Sequence, residues 1–166
     1  MSGEHLAFLS PDLASAEAVW RSPLERALVR APQGIEDVSR TAVFEVTGNV
    51  AGLRPEGFEV LPLTPRRALV LCDWKRAGAT RATLGEGYDT VDVSAGWAGI
   101  RVRGETVLRR LTDLDLDALP AVGPVAHVRA LVLRDGADAF RVLVPQEYAH
   151  SVAEAVLDAF AGVREG

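Results

Sequence analysis

Residues 91–105, VDVSAGWAGIRVRGE, change the face of their apolar side chains half-way along the segment. Val91 and Val93 share one face of an extended chain, whereas Ile100 and Val102 fall on the opposite face. Because side chains alternate along a strand, a straight strand cannot bury both pairs against one core. The segment therefore predicts a strand that contacts two different apolar layers.

Two glycines, Gly96 and Gly99, lie where the face changes. A bulge or bend at either glycine would shift every later side chain to the other face. We expect the segment to pass from the sheet of one lobe to the sheet of a second lobe. Both glycines then have a structural role.

The composition is that of an ordinary globular protein, with 48% hydrophobic and 25% charged residues in a chain of 166. A net charge of −5 with dispersed basic residues argues against a nucleic-acid partner. The sequence has no apolar run of membrane-spanning length and no signal-peptide pattern, so it predicts a cytoplasmic protein without a membrane partner. Cys72, the only cysteine, excludes an intramolecular disulfide and suits a reducing compartment.

On both sides of this segment the sequence predicts strands covered by helices. Upstream, the runs TAVFEVTG, FEVLPL and RALVLCD favour strands, residues 55–57 favour a turn, and residues 74–84 favour a helix. Downstream, ETVLRRLTDL favours a helix, AHVRALVLRDGADAFRVLVP favours a hairpin, and residues 149–160 favour an amphipathic helix. The order predicts the α+β class, with two small antiparallel sheet lobes and helices packed on one side.

The predicted domain organisation has two parts. Residues 1–35 favour a helical or irregular arm that acts as a lid or attachment segment, with Ser10 and Ser22 as candidate N-caps. Residues 36–166 form a single α+β domain, whose two lobes are joined through the strand at residues 91–104.

The residue pattern predicts neither a catalytic set nor a metal site. The three histidines are scattered without metal-ligand spacing. Asp92 and Ser94 point away from the valines that we expect to face the core, next to Trp97. Asp92 and Ser94 are therefore candidate cofactor-binding residues. The tryptophans are either core residues or markers of a pocket or an interface.

The segment VDVSAGWAGIRVRGETVLRRLTDLDLDAL resembles a part of the glycine-cleavage T protein (aminomethyltransferase) superfamily, in which a DVS strand leads to a second strand and a leucine-rich helix. Three other stretches are similar to the gamma-subunit family of heterotetrameric sarcosine oxidase. They are RSPL at residues 21–24, LTPRRALVL, and FRVLVPQEYAHSVAEAVLDAF. The resemblance covers most of residues 21–161 and implies the fold of the aminomethyltransferase folate-binding domain.

The resemblance also implies a non-catalytic subunit that packs against large flavin-containing subunits. These would oxidatively demethylate sarcosine or a related N-methyl amine, and they would carry FAD, FMN, NAD and tetrahydrofolate, while this chain binds no cofactor. Aromatic and arginine side chains are typical interface anchors, so the candidates for the partner interface are Trp74, Trp97, Arg101 and Arg103.

Two alternatives remain open at this point. One is a free-standing folate-binding or aminomethyltransferase-like one-carbon protein, in which Asp92 or Glu105 approaches the pterin. The other is a stand-alone domain whose pocket has closed. The hairpin turn RDGADA lacks the longer GGxxDD-type run of the folate enzymes, so Asp135 and Asp138 are interpreted as turn residues.

Overall fold

The computed structural model describes residues 21–53 and 57–164. Within these ranges the chain forms nine strands and three α-helices. The strands are β1 (Ile35–Asp37), β2 (Thr41–Thr47), β3 (Glu59–Thr64), β4 (Arg67–Asp73), β5 (Asp89–Asp92), β6 (Trp97–Arg103), β7 (Ala121–Val125), β8 (Val128–Arg134) and β9 (Ala139–Pro145). The helices are α1 (Ala77–Gly85), α2 (Glu105–Arg109) and α3 (Ala149–Arg164). The expected N-cap at Ser10, Trp20, and the predicted turn apart from Gly57 lie outside the described residues.

The strands form two sheets in which every pairing is antiparallel. The five-stranded sheet has the order β1-β6-β9-β8-β7, and the four-stranded sheet has the order β3-β4-β2-β5. The predicted α+β class with two antiparallel sheets is confirmed. None of the helices in the described ranges is long and apolar enough to cross a membrane.

The two sheets pack face to face, and the helices cover their outer faces. Helices α2 and α3 share an apolar cluster with the outer face of the five-stranded sheet, and α1 does so with the outer face of the four-stranded sheet. A third cluster fills the space between the sheets, and we call it the interlayer core. Its buried members are Val43, Leu61, Leu69, Leu71, Leu131, Leu133 and Leu143.

Strands in the middle of this arrangement are apolar on both faces. On β8, Ala130 and Val132 pack towards the helices, while Leu131 and Leu133 enter the interlayer core. All four side chains are at most 3% exposed. An antiparallel strand with one solvated face would alternate apolar and polar residues. The unbroken apolar run ALVL therefore indicates a strand that is covered on both faces.

The change of face in residues 91–105 coincides with a change of sheet. Strand β5 belongs to the four-stranded sheet and β6 to the five-stranded sheet, and the 3-10 turn Ser94–Gly96 connects them. Val93 packs against the interlayer core, whereas Ile100 and Val102 lie in the cluster under α2 and α3. Val93 on one side of the turn, and Ile100 and Val102 on the other, therefore contact two different apolar layers.

Val91 does not face a core as the alternation predicts, because its side chain is 60% exposed. It pairs with Glu45 across the β2–β5 ladder and shares the sheet face that Val43 occupies. However, β5 is the edge strand of its sheet, and the five-stranded sheet does not extend over this position. Alternation gives the face of the sheet on which a side chain lies, but not how far the covering layer reaches.

The described part of the predicted arm, residues 21–34, is attached to the five-stranded sheet. Leu24 is fully buried in the cluster under α2 and α3, and Leu28 packs against the same cluster. The hydroxyl of Ser22 accepts a hydrogen bond from the Leu24 N–H at 3.0 Å, which holds the turn that presents Leu24. The arm forms turns here rather than an α-helix.

Gly99 lies on β6 directly beneath the backbone of residues 38 and 39. The Val38 N–H donates to the Gly99 carbonyl at 2.8 Å, and the Gly99 N–H donates to the Ser39 hydroxyl at 3.1 Å. A Cβ atom at Gly99 would lie 2.8 Å from the carbonyl oxygen of Val38, whereas a Cβ atom at Gly96 would meet nothing within 4 Å.

We predict that Gly99→Ala lowers the free energy of unfolding by about 1–3 kcal/mol, because the methyl group overpacks a backbone contact that cannot rotate away. Gly96→Ala is the matched control and should change stability by less than about 0.5 kcal/mol. Urea unfolding followed by circular dichroism measures both. Equal effects of the two substitutions would show that the close approach at Gly99 is not what requires glycine.

Candidate functional site

Asp92 and Ser94 are joined to the backbone of β2. The buried Ser94 hydroxyl accepts a hydrogen bond from the Val43 N–H at 2.9 Å and donates to the Asp92 carboxylate at 2.6 Å. The same carboxylate oxygen accepts from the Ser94 N–H at 3.0 Å, and the Val93 N–H donates to the Val43 carbonyl at 2.9 Å. These bonds hold the crossing from β5 to the turn before β6 against the neighbouring strand. The two side chains thus have a structural task in the DVS motif.

Glu105 lies in the first turn of α2, beyond the far end of β6 from that motif. Its carboxylate pairs with Arg109 one helical turn later, at 2.7 Å. Its backbone N–H donates to the Asp138 carboxylate at 2.7 Å. Asp138, in the β8–β9 turn, therefore caps α2. Glu105 does not join Asp92 and Ser94 in a common site.

The most elaborate polar arrangement lies at one end of the interlayer core, and we call it the arginine cluster. It consists of Arg101 on β6, Arg141 on β9, Asp135 after β8, Glu59 on β3 and Glu36 on β1. Asp135 contacts both arginines, at 2.7 Å from Arg101 and 3.1 Å from Arg141.

Arg141 also reaches across the gap between the sheets to Glu59 at 2.6 Å. The side chain of Arg141 is 12% exposed and that of Glu59 is 42% exposed, so this ion pair links the two sheets at the edge of the interlayer core. The Nε atom of Arg141 is buried without a hydrogen-bond partner among the described residues. A buried guanidinium with two carboxylate partners is stabilised where an unpaired one would be costly.

The Asp135 carboxylate raises the pKa of Arg101 through its hydrogen bond, although partial burial acts in the opposite direction. Glu36 reinforces the effect with a second bond at 3.0 Å. A raised pKa contributes stability that is lost only as pH rises through the folded-state value. Since arginine already titrates far above neutrality, the Arg101 guanidinium stays protonated at neutral pH and this contribution is fully present there.

A cavity of about 330 Å³ adjoins the arginine cluster and is lined by Arg101, Arg141, Asp135 and Cys72, among others. Two guanidinium groups suit a carboxylate or phosphate ligand. However, Asp135, Glu59 and Glu36 already occupy donors of both groups. A ligand anion would have to compete with three carboxylates, so the geometry favours a structural role for the cluster.

A larger cavity of about 440 Å³ lies between α2, α3 and the β7–β8 turn. Arg110, His127 and Ser151 are among its lining residues. His127 has a φ of +67°, an uncommon conformation for a residue with a side chain. Across the described ranges, no three His, Cys, Asp or Glu side chains converge on a point where a metal ion could bind.

The four candidate interface residues lie in three different parts of the structure. Trp74 and Trp97 line one groove of about 220 Å³ together with Arg21, Pro23 and Gln146, and we call it the tryptophan groove. Trp74 is 46% exposed, and Trp97 is half-buried because it also packs against the interlayer core. Arg101 belongs to the arginine cluster. Arg103 is exposed at the far end of β6, roughly 20 Å from Trp97 at the usual rise per residue of a strand.

The sequence analysis missed the long-range roles of Asp135 and Asp138, which are more than turn residues. One binds two arginines and the other caps α2. A signal was present in β9, where Arg141 interrupts the run AFRVLVP at a position that alternates with Phe140 and Val142. An arginine on a strand that is apolar on both sides requires a nearby carboxylate.

The fold of this chain is similar to the folds of solved structures. It matches a chain of heterotetrameric sarcosine oxidase from Corynebacterium sp. U-96 with a TM-score of 0.68 and 18% identity, over 86% of this chain and 95% of that chain. It also matches glycine cleavage system aminomethyltransferase T from Bartonella henselae with a TM-score of 0.57 and 18% identity. That match covers 81% of this chain but 48% of the aminomethyltransferase, so the chain spans about half of that enzyme's length.

No protein-family model matches the sequence, and neither does any curated protein. At 18% identity the two structural matches establish the fold alone. The chain therefore has an aminomethyltransferase-like fold, and the expectation drawn from the resemblance is confirmed at that level.

We predict that Ser94→Ala lowers the free energy of unfolding by about 1–3 kcal/mol, because the buried Val43 N–H loses its acceptor. Ser151→Ala, which removes an exposed hydroxyl that donates to the Tyr148 carbonyl in the 3-10 turn before α3, is the control and should be almost neutral. Chemical denaturation measures the difference. If Ser94→Ala does not change the free energy of unfolding, the DVS motif does not stabilise the fold, and a ligand-binding role for these residues is favoured instead.

Asp135→Ala should lower the free energy of unfolding by about 1.5–3 kcal/mol, because the substitution removes a charged acceptor shared by two arginines. Glu45→Ala breaks the Arg67–Glu45 pair, whose side chains are 51% and 32% exposed, and should cost less than about 1 kcal/mol. Thermal unfolding of the two variants side by side tests this. The structural assignment of the arginine cluster is wrong if both variants unfold like the wild type.

Proposed function

We propose that this chain is a non-catalytic subunit of a sarcosine oxidase-type complex, with a role like that of the gamma subunit. It packs against large flavin-bearing subunits that oxidatively demethylate sarcosine or a related N-methyl amine. FAD, FMN, NAD and tetrahydrofolate reside on those partners. The cytoplasmic location expected from the sequence is part of the same proposal.

One observation carries the proposal. The match to a chain of a heterotetrameric sarcosine oxidase spans 86% of this chain and 95% of the other, so the two share nearly their whole extent. The aminomethyltransferase match, by contrast, leaves about half of that enzyme without a counterpart. A fold shared with one chain of an assembly over nearly that chain's whole length supports a similar subunit role for this chain.

The side chains that could have acted in catalysis support the same interpretation. Asp92 and Ser94 hold the β5–β6 crossing, Glu105 pairs with Arg109, and Asp135 neutralises two arginines. Each of these groups is engaged in a contact that the fold uses. A general acid or base must instead be within reach of a reacting proton on a bound substrate.

The rival proposal, a free-standing folate-binding one-carbon protein, rests on the aminomethyltransferase match and on the cavity of about 330 Å³, which falls within the size range of small-molecule sites. Isothermal titration of the isolated chain with tetrahydrofolate discriminates the two. Heat release with a thermal shift would favour the rival.

We predict that the tagged chain, purified from its own host, brings down larger chains and shows the visible absorption bands of bound flavin. Sarcosine, or another N-methyl amine, should bleach these bands anaerobically as the flavin is reduced. A tagged unrelated protein of similar size is the control. A colourless preparation that contains only the 17.7 kDa chain would contradict the proposal.

A further inference from the structure

The tryptophan groove lies where several parts of the chain converge. Trp74 follows the last residue of β4 in the four-stranded sheet, and Trp97 opens β6 in the five-stranded sheet. Arg21 contributes from the segment that precedes β1, and Gln146 from the turn before α3. Both sheets therefore contribute to the groove, together with the segments that precede β1 and α3. Its shape depends on the folded arrangement of the whole domain.

The exposed Trp74 is fixed at its backbone. The Asp73 carboxylate accepts a hydrogen bond from the Lys75 N–H at 2.8 Å, which caps the short 3-10 turn that begins at Trp74. The Trp74 N–H donates to the Arg40 carbonyl at 3.3 Å. The Trp74 side chain is 46% exposed and has only two rotatable torsions, so a partner that covers it orders little beyond the already fixed backbone. Tryptophan and arginine are also the residues that most often dominate the energy of protein interfaces.

The size of the tryptophan groove selects the kind of occupant. Its volume of about 220 Å³ is below the roughly 300–1,000 Å³ of typical small-molecule and cofactor sites. It has room for a single large side chain projecting from a protein surface. The tryptophan rings supply apolar walls, so this side chain should be apolar or aromatic.

The charge of the groove sets a second requirement for the side chains that can bind there. Arg21 is the single charged residue among the described residues that line it. Arg21 forms no hydrogen bond or ion pair with any other residue in the described ranges. An arginine at the rim of an apolar pocket pairs well with a carboxylate, which it can bind with two parallel hydrogen bonds.

We infer that the tryptophan groove receives a segment of a partner subunit that inserts an apolar or aromatic side chain next to Trp74 and places an acidic side chain against Arg21. This inference rests on the proposed function for the existence of the partner. Arg101 and Arg103 are not required for the contact, because one is engaged in the arginine cluster and the other lies at the opposite end of β6.

The test measures binding to the purified flavin-bearing subunits, obtained by dissociating the complex that the tagged chain captures. Trp74→Ala and Arg21→Glu should each weaken binding about tenfold or more. The matched controls are Leu63→Ala, an apolar residue 38% exposed in a different groove, and Arg129→Glu, an exposed arginine on β8. Both controls should bind within about twofold of the wild type, and all four variants should keep the wild-type melting temperature within a few degrees.

A photo-cross-linking residue in place of Trp74 then identifies the partner segment by mass spectrometry. The expected peptide belongs to a flavin-bearing subunit and contains an apolar or aromatic residue beside an Asp or Glu. Reversing the charge of that acidic residue should restore binding to the Arg21→Glu variant. A cross-linked segment without an acidic residue would overturn the inference.

The remaining outcomes separate this inference from the proposed function. If the wild type binds flavin-bearing subunits and Trp74→Ala binds equally well, the inference is wrong and the proposed function stands. If the wild type binds no such subunit, the proposed function is wrong, and the inference, which rests on it, is wrong as well. A dimer of the isolated chain that Trp74→Ala dissociates would show that a second copy fills the groove, and this also overturns the inference.

Discussion

The face-to-face packing of the two sheets is the contact on which the rest of the structure depends. Leucines from both sheets, such as Leu71 and Leu131, are almost fully buried in the interlayer core. Each fully buried leucine contributes roughly 1.5–3 kcal/mol, whereas an exposed ion pair contributes about 0–1 kcal/mol. The sheets are therefore held together mainly by this layer. Polar groups at its edge, such as Arg141, are tolerated because carboxylates from both sheets meet them.

Local pattern predicts the elements of this fold well. The helical period of α3 and the hairpin of β8 and β9 follow from the sequence because neighbouring residues decide them. The unusual parity of residues 91–105 predicts two apolar layers for the same reason. What the pattern does not contain is the lateral extent of each layer, and this is why Val91 is exposed despite its alternation.

The polar sites were harder to predict because their partners are distant in sequence. Arg141 and Glu59 are separated by 82 residues, and the Ser94 hydroxyl binds a backbone group 51 residues away. Such contacts depend on how one sheet lies on the other, which residue spacing does not encode. Once these contacts are known, the polar residues that suggested binding chemistry are accounted for within the fold. The fold does not use Trp74 and Arg21 in this way, and the proposed partner contact is argued from these two residues.

The order of strands in the five-stranded sheet has a consequence for synthesis of the protein on the ribosome. Its central strand, β9, is the last strand along the chain, and it lies between β6 and β8. Neighbouring strands β1 and β6 are also joined by residues 65 positions apart, as in the pair Glu36 and Arg101. Non-local pairing of this kind slows folding, because the entropy of closing a long loop is lost before these contacts form. Until β9 has left the ribosome, β6 and β8 each have an unpaired edge that can pair with another chain.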